Sequence, residues 1–450
     1  MVENEKVEEQ AENAVERIPA PVESGESAAK KVWKIIGIVA LAIVIFLLGV
    51  LTQWLLIEPE MRALIKVKDK IDAEYYDGVS NESFYGAIFD AVNNEVLDEY
   101  SCYMTADEYA AATSASDGNR SGIGLVFYTG TEASPQMQIV RVCGNSPAEK
   151  AGFCVGDCII GFGKDETSLQ ESVAFSAFSE FLSALGADVP FFVKAQTKTG
   201  ERLFTLQKSA YVENYVFYRT SGSAYSFTTG KNVTAVARGE PLSALPSDTA
   251  YIRLIQFEGN AAAAFDRAMA QFKADGKKNL VLDLRENGGG DMRVLQSVAK
   301  YFCKGATAKK PTVAIADYGE NKKNFYADGN VYSTYFAADS RICVLADCYT
   351  ASASECLLGC MLSYGAATYA DICLTEIDGQ GKTFGKGIMQ TTYPLSLFAQ
   401  DAVKLTTARI CWPNGNCIHG RGILAADGTK TVTRSYDGET ELTTALECLF

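Results

Sequence analysis

One threonine and two serines in the last quarter of the chain have the surroundings of a nucleophile. Thr350, Ser352 and Ser354 follow the apolar run 342–346 and precede an apolar helical pattern. A serine at such a junction lies at the positive end of a helix, where backbone N–H groups can stabilise an oxyanion. The same residue types are good helix N-caps, so this segment by itself leaves a capping role open.

A lysine between two glycines is the candidate base. Lys386 lies between Gly385 and Gly387, and Gln390 follows four residues later. A free lysine titrates near 10.4, so a base that works near neutrality needs burial to lower its pKa by about 3 units. Gln390 could hold the amine by a hydrogen bond. An exposed turn lysine is the alternative for this motif read alone.

A glycine run after a buried strand could bind an anion. Residues 279–284 are apolar apart from Asn279 and Asp283, and Gly288, Gly289 and Gly290 follow them. Backbone N–H groups in such a loop can face an oxyanion or a phosphate. A dinucleotide fingerprint would need glycine at Arg293, and a P-loop ending at Gly381-Lys382-Thr383 would need glycine at Glu376. We therefore expect no nucleotide cofactor.

A second glycine loop suggests peptide binding. Gly122, Ile123, Gly124 and Leu125 run into an apolar strand pattern. Converging N–H groups of such a loop can hold a C-terminal carboxylate, and the strand edge can then add a peptide strand. Two ordinary turns are the alternative. The segment 144–157, with Ser146-Pro147 and Gly156-Asp157, makes the peptide-binding interpretation more specific.

Composition excludes several classes of protein. The 450 residues contain one histidine, His419, so a histidine-rich zinc site and a metal cofactor are not expected. A hydrolase with an imidazole base has a single candidate for it, close to the C-terminus. The net charge of -14 argues against nucleic-acid binding. The balance of 48% hydrophobic and 21% charged residues is that of a globular chain.

The N-terminus combines an acidic tail with an apolar run. Eight glutamates and no aromatic residue occur in residues 1–29, which predicts a disordered tail. The uncharged run 35–57 would span about 34 Å as a helix, enough for a bilayer core of roughly 30 Å. Lysines precede the run and glutamates follow it, which places the N-terminus in the cytoplasm. A cleaved signal peptide is the alternative, but the run is long for one.

Thirteen cysteines follow this run, an odd number that leaves at least one unpaired within a monomer. The pairs Cys154/Cys158 and Cys356/Cys360 have C-x-x-x-C spacing, which is neither a zinc knuckle nor a redox motif. We expect most of the cysteines to be small buried apolar residues, with some disulfides possible.

The element pattern changes twice along the chain. Apolar spacing predicts helices from Glu58 to about Met104, and short apolar runs between Gly and Pro predict a small β-rich domain to about Val212, with one helix at Ala174–Leu185. From Ala250 strands alternate with helices, which indicates an α/β layered core. The candidate serine and the glycine loop both follow predicted strands of this core.

Together, these motifs resemble the C-terminal processing peptidases of serine peptidase family S41. The segments 97–104, 283–290, 350–355 and 384–390 are similar to family motifs, and residues 404–422 match the C-terminal signature with His419. The resemblance implies an α/β (α+β) protease core with an adjacent PDZ domain, an N-terminal helical region and one transmembrane helix. The domain boundaries that it implies are a cytoplasmic tail at residues 1–31, a membrane helix at 32–57, a helical region at 58–118, a PDZ domain at 119–211 and a peptidase domain at 212–450.

The resemblance also assigns roles. Ser352 aligns with the nucleophile, Lys386 with the general base and Gln390 with the residue that orients the lysine. Gly289 and Ala353 align with the oxyanion donors, Ser354 is the fallback nucleophile, and His419 is structural. Neutral Lys386 would take the Ser352 proton, and an acyl-enzyme would form and be hydrolysed. The resemblance therefore implies a membrane-anchored endopeptidase whose substrates are exported or membrane proteins with flexible apolar C-termini. A homo-oligomer is compatible with this assignment.

Several residues depart from the family pattern. Glu286 and Gly288 replace the usual Asn and Pro, which predicts a looser oxyanion loop. Glu99 replaces a proline, residues 374–382 are extra sequence expected in a surface loop, and residues 425–427 replace a Pro-Asp segment. These departures motivate the alternative of a catalytically weak PDZ scaffold that binds protein C-termini. A small-ligand carrier on the same fold is the remaining alternative.

Overall fold

The computed structural model describes residues 28–131, 134–171, 174–227, 233, 235–237, 239, 241–395, 400–434, 442–443 and 446–447. The predicted disordered tail lies outside these residues up to position 27. The chain divides after Asp90 into two units, which are described separately.

Ten α-helices occur in the described residues. They are α1 (Ala28–Leu56), α2 (Pro59–Glu74), α3 (Asn81–Ala91), α4 (Ala106–Ser116), α5 (Pro147–Ala151), α6 (Phe175–Ala184), α7 (Ala261–Ala274), α8 (Met292–Ala299), α9 (Tyr332–Tyr335) and α10 (Ala353–Tyr364). A π-helical turn covers Val92–Val96, and 3-10 turns cover Tyr369–Asp371 and Ala425–Asp427.

Twenty strands occur in the same residues. They are β1 (Cys102–Met104), β2 (Asn119–Gly122), β3 (Leu125–Thr131), β4 (Ser134–Val142), β5 (Cys158–Gly163), β6 (Pro190–Thr197), β7 (Gly200–Gln207), β8 (Ser209–Val212), β9 (Val216–Arg219), β10 (Ala224–Phe227), β11 (Ala235–Ala237), β12 (Thr249–Leu254), β13 (Asn279–Asp283), β14 (Thr312–Asp317), β15 (Lys322–Tyr326), β16 (Ile342–Asp347), β17 (Ile372–Glu376), β18 (Ile388–Pro394), β19 (Ala402–Cys411) and β20 (Lys430–Thr433).

The first unit contains the apolar helix α1. Its segment Val32–Gln53 is long and apolar enough to cross a membrane, and its described side chains are exposed. A signal sequence near the N-terminus has the same properties. The second helix, α2, begins with Pro59 at its first turn, where proline's missing N–H leaves no intrahelical bond unmade.

The second unit is built on an eight-stranded sheet with the order β11-β10-β9-β12-β13-β16-β17-β20. Strands β12, β13, β16, β17 and β20 are parallel, and helices connect several of them, as in α/β proteins. Both faces of the central strands are buried. Leu280 and Leu282 of β13 pack with the helices α7, α8 and α10, whereas Val281 faces a smaller cluster that includes Leu442 and Leu446. Because parallel strands end at one edge, β13 and β16 bring their following loops together.

Two further sheets flank this core. Strands β1, β19, β14 and β15 form an antiparallel sheet in which β18 pairs with β19. Strands β3 to β7 form a five-stranded antiparallel sheet in sequential order, and it has its own hydrophobic core with Phe162, Phe178 and Phe191. The strand pair β2 and β8 brackets this small β unit in the sequence.

The predicted α/β architecture is confirmed, with differences at several boundaries. The helical pattern predicted up to Met104 ends at Ala91, because the π-helical turn and strand β1 follow. The glycine loop runs into strand β3, as the sequence predicts, and positive φ angles at Gly122 and Gly124 separate β2 from β3. The extra segment is not entirely a surface loop: Leu374 and Thr375 are buried in β17, and a turn occupies only residues 377–380.

Candidate active site

Ser352 lies where strand β16 enters helix α10. Its φ is +55°, a left-handed value that is unfavourable for a residue with a Cβ atom. The preceding turn is fixed because the Thr350 hydroxyl donates to Leu284 O at 2.9 Å and accepts from Asp347 N at 2.9 Å. Strained residues are concentrated at functional sites, and this one presents a serine at a helix N-terminus.

The carboxylate of Glu355 joins the serine segment to the lysine segment. It is buried and accepts from Ser352 N at 3.0 Å and Lys386 N at 2.9 Å. It also accepts from Gly385 N at 2.8 Å and from the Thr383 hydroxyl at 2.6 Å. Burial raises the pKa of Glu355, and these donors oppose the rise. Sequence reasoning gave Glu355 no role, although Ser352-x-x-Glu355 has the spacing of a capping box.

The lysine segment is packed tightly against residues 418–422. A Cβ atom on Gly385 would lie 2.8 Å from Gly422 N, and one on Gly387 would lie 2.8 Å from His419 N. Gly420 N donates to Gly385 O at 2.8 Å, and Phe384 N donates to Thr350 O at 3.0 Å. The two glycines are therefore needed for close backbone approach, where the sequence suggested backbone freedom.

The Lys386 amine lies over the ring of Tyr100, 4.8 Å from its centroid. Burial lowers the pKa of Lys386, and the positive charge of Lys404 lowers it further, while Asp98 and Glu99 oppose the change. No hydrogen bond joins this amine to Ser352 or Gln390 among the described residues. Instead, Gln390 Nε2 donates to the Thr406 hydroxyl at 3.3 Å. The structure thus brings the Ser352 and Lys386 segments together through Glu355, with no hydrogen bond between the two side chains in the described part of the chain.

The glycine loop after β13 lies against Ser352. A Cβ atom on Gly289 would be 2.7 Å from Ser352 Cβ and 2.8 Å from Ala353 N, so only glycine fits there. The Gly289 N–H, an expected oxyanion donor, donates to Asn287 Oδ1 at 3.0 Å. Asn287 was missed by sequence reasoning. It is fully buried, and its Nδ2 donates to Leu254 O at 2.8 Å.

Ser354, the fallback nucleophile, has a packing role in this structure. Its side chain is fully buried, and its hydroxyl donates to Asn287 O at 3.0 Å. Ala351 N donates to the same oxygen at 3.0 Å. Both bonds hold the nucleophile turn against the glycine loop, which leaves Ser352 as the more accessible serine of the pair.

Two buried aspartates lie at the ends of β13 and β16. Burial of Asp283 would raise its pKa, but the guanidinium groups of Arg285 and Arg253 lower it to about 2. Burial raises the pKa of Asp347 to about 6, and the negative charge of Glu286 adds to the rise. The site therefore contains one carboxylate that stays ionised and one that titrates under mildly acidic conditions.

The second glycine loop lies in the small β unit. Ile123 O accepts from Ala148 N and Gly124 O accepts from Cys143 N, both at 2.9 Å. A Cβ atom on Gly124 would be 2.2 Å from Ser146 Cβ, which explains why position 124 is occupied by glycine. Leu125 begins strand β3, which is at the edge of its sheet in the described part of the chain.

Aromatic side chains line the space between that edge strand and helix α6. The ring of Phe127 on β3 lies 5.8 Å from the ring of Phe175 and 5.9 Å from that of Phe178, measured between centroids. Phe175 is partly exposed. An edge strand beside an aromatic helix face can accept an extended peptide and its apolar side chains.

His419 contacts the lysine segment through its backbone. The backbone of His419 packs on Gly387, burial lowers the pKa of its imidazole, and its Nδ1 has no partner among the described residues. Among the described cysteines, Cys158, Cys356 and Cys360 are free thiols. In the same residues, no group of His, Cys, Asp and Glu has the arrangement of a metal site.

Comparison with known proteins identifies the relatives of this chain. Residues 248–426 match peptidase family S41. A CtpA-like serine protease of Staphylococcus saprophyticus is 26% identical over 365 residues, which are 81% of this chain and 64% of that protein. The carboxy-terminal processing protease CtpB of Bacillus subtilis is 25% identical over 364 residues, 81% of this chain and 66% of that protein. The chain thus spans just under two thirds of the length of these relatives.

The fold has a counterpart among solved structures. The crystal structure of an S41 protease from Bacteroides fragilis has a TM-score of 0.52 to this chain at 15% identity, and the match covers 83% of this chain and 90% of that one. This likeness shows a mixed α/β fold of the S41 type. Residues 248–426 are thus similar to peptidase family S41, and the chain is a homologue of the C-terminal processing proteases.

Proposed function

We propose that the chain is a membrane-anchored serine endopeptidase that cleaves exported proteins after recognising their apolar C-terminal tails. Ser352 is the nucleophile, Lys386 is the general base and Gln390 orients the lysine. The observation that carries the proposal is the buried Glu355 carboxylate, which binds the backbone N–H groups of both Ser352 and Lys386. This contact holds nucleophile and base segments next to each other beside the glycine loop.

The proposed mechanism is acyl transfer through a serine ester. Burial favours the neutral form of Lys386, which takes the Ser352 proton as the hydroxyl oxygen attacks the peptide carbonyl. The oxyanion receives hydrogen bonds from the backbone N–H groups of Gly289 and Ala353. Lys386 then protonates the leaving amine, and water hydrolyses the ester. For this step the lysine amine must leave the ring of Tyr100, and Gly289 N–H must turn from Asn287 to the substrate.

Substrate recognition is assigned to residues 119–211 as a PDZ domain. The loop Gly122, Ile123, Gly124 and Leu125 would hold the C-terminal carboxylate by its N–H groups, and β3 would pair with the tail. Support comes from the edge position of β3 and from the Phe127, Phe175 and Phe178 rings beside it. Helix α1 would anchor the enzyme, with the N-terminus in the cytoplasm and the catalytic domain outside.

A catalytically weak scaffold that binds C-termini is the second candidate. It is favoured by the lack of a hydrogen bond between Lys386 and Ser352 in the described residues, and by the engaged Gly289 N–H. In this case, the PDZ region would hold tails without turnover.

The test uses the full chain in detergent and a peptide with a flexible apolar tail. A peptidase should cleave it, and Ser352→Ala and Lys386→Ala should each lose about a thousandfold or more in kcat. The same peptide with a C-terminal amide should show a raised KM, because the carboxylate contact is lost. If the unsubstituted chain bound the tail but cleaved no tailed peptide, the result would instead support the scaffold. If Ser352→Ala kept full activity, the result would contradict the proposed nucleophile.

A further inference from the structure

Glu286 has a different environment from the one that its sequence position suggested. It stands where the family has asparagine, and its φ is +61°, a strained value for a residue with a Cβ atom. Three elements hold it in this conformation. The replacement was expected to loosen the loop Glu286–Gly290, called here the oxyanion loop, whereas the contacts indicate the opposite.

The side chain of Glu286 bridges two arginines. Its Oε2 accepts from Arg253 Nη2 at 3.0 Å, and its Oε1 accepts from Arg434 Nη2 at 2.6 Å. The side chains of Glu286 and Arg434 are only about one seventh exposed, at 14% and 15%. Ion pairs with this degree of burial have defined geometry, and breaking one leaves an uncompensated charge.

The backbone of Glu286 is held as well. Its N–H donates to both carboxylate oxygens of Asp347, at 3.0 and 3.1 Å. Asp347 ends β16 and also accepts from Tyr349 N at 3.0 Å, within the turn that leads to Ser352. One residue thus connects the oxyanion loop to the nucleophile turn through its backbone and to two arginines through its side chain.

The two arginines come from distant parts of the sequence. Arg253 is on β12, next to β13, and Arg434 directly follows β20, where its N–H donates to Glu376 O at 3.0 Å. Glu376 ends β17 at the start of the extra segment. The carboxylate of Glu286 therefore connects two segments, strand β12 and the residue after the edge strand β20, to the loop that contains Gly289.

We propose that Glu286 is a positioning residue that holds the oxyanion loop in register with Ser352, and that Arg434 is required for this role. The inference rests on the proposed peptidase function. Gly289 is three residues after Glu286, and a Cβ atom on it would lie 2.7 Å from Ser352 Cβ, so displacement at Glu286 moves the oxyanion donor relative to the nucleophile. Misplacement of about 1 Å at such a donor costs up to about a hundredfold in rate.

The test compares kcat and KM of the full chain in detergent for Glu286→Gln, Arg434→Gln and the double variant. Each single variant should lower kcat about tenfold to a hundredfold with KM within about twofold, because tail binding is assigned to a different sheet, β3 to β7. The double variant should lose no more than the worse single variant, since the pair acts as a unit. Arg434→Lys, which keeps the charge, should recover part of kcat.

Lys300→Gln is the matched control. Lys300 pairs with Asp266 at 2.8 Å, and its side chain is 18% exposed, close to the value for Arg434. This variant should lower the melting temperature by less than Arg434→Gln does, because Asp266 is 44% exposed, and should leave kcat within about twofold. If Lys300→Gln lost as much kcat as Arg434→Gln, the loss in Arg434→Gln would be explained by lower stability alone, and the inference would be overturned.

Two other outcomes are distinguishable. If the parent chain cleaves through Ser352 and Glu286→Gln keeps full kcat, or if the losses of the two single variants add, the positioning role is wrong and the peptidase proposal stands. If the parent shows no turnover and its Ser352→Ala variant behaves identically, the peptidase proposal fails and the positioning role fails with it.

Discussion

At the scale of single residues, Glu355 makes the contacts on which the proposed catalytic geometry depends. It accepts four hydrogen bonds, from Ser352, Thr383, Gly385 and Lys386. A glutamine has one acceptor oxygen, and its NH2 group would face donors. We expect Glu355→Gln to lower kcat by about a hundredfold and stability by about 1–3 kcal/mol, measured by steady-state kinetics and thermal unfolding.

Asp371→Asn is the control for Glu355→Gln. Asp371 accepts from Thr368 N at 2.9 Å and from its hydroxyl at 2.7 Å, so the change also removes a capping carboxylate. It lies in a 3-10 turn before β17 and has no hydrogen bond to the Ser352 or Lys386 segments in the described structure. It should destabilise the chain slightly and leave kcat unchanged. Equal losses of kcat in both variants would contradict a specific role for Glu355.

Tyr100 should influence the pH dependence of activity. Its ring faces the Lys386 amine, and a cation–π contact favours the charged amine by about 0.5–2 kcal/mol. Because the proposed base is the neutral amine, activity is lost as pH falls through the lowered pKa of Lys386. Tyr100→Leu keeps an apolar cover but removes the ring, so the acid limb of kcat/KM should move to lower pH. Tyr100→Phe should leave the limb in place, and a shift to higher pH in Tyr100→Leu would contradict this account.

At the scale of elements, the lysine segment and residues 418–422 are packed backbone to backbone. A Cβ atom on Gly387 would lie 2.8 Å from His419 N and 3.0 Å from its Cβ. Gly387→Ala must therefore displace one of the two segments. We expect a loss of kcat of roughly tenfold or more and a stability loss of about 1–3 kcal/mol, measured by kinetics and thermal unfolding.

Gly222→Ala provides the comparison for Gly387→Ala. A Cβ atom on Gly222 meets nothing within 4 Å, and neither glycine has a left-handed φ. The two substitutions therefore differ in steric space and not in backbone conformation. Gly222→Ala should retain full activity. Unchanged kcat and melting temperature in Gly387→Ala would show that the segments are not packed as described.

Elements were more predictable from sequence than contacts were. The apolar run 279–284 places β13 within one residue, because burial of both faces of a central strand determines such a run. The Glu355 contacts depend on residues 28 to 31 positions later in the chain, which no local pattern records. The charge bridge from Glu286 to Arg434 spans 148 positions and depends on sheet order. Sequence therefore indicated which segments form the site, and their mutual contacts required the fold.

At the scale of the whole molecule, Asp347 should make stability depend on pH. Burial raises its folded-state pKa to about 6, above the ordinary value of 3.8. The folded chain then binds this proton more tightly than the unfolded chain, so the group's contribution is fully present below about pH 4 and is lost as pH rises through about 6. A shift of about two units corresponds to about 3 kcal/mol. Asp347→Asn should flatten this part of the stability curve, measured by denaturant unfolding of the full chain in detergent. An unchanged slope would show that Asp347 does not titrate in this range.

The central claim about the molecule is that Ser352 is a nucleophile activated by Lys386. Its most direct test is labelling of the full chain with a fluorophosphonate, which reacts with activated serine hydroxyls, followed by mass spectrometry of the labelled peptide. We predict one adduct, on Ser352, that is absent in Ser352→Ala and formed much more slowly in Lys386→Ala. His419→Ala should label at the parent rate if it folds. An adduct on Ser354, or labelling of Ser352 that is independent of Lys386, would contradict the account.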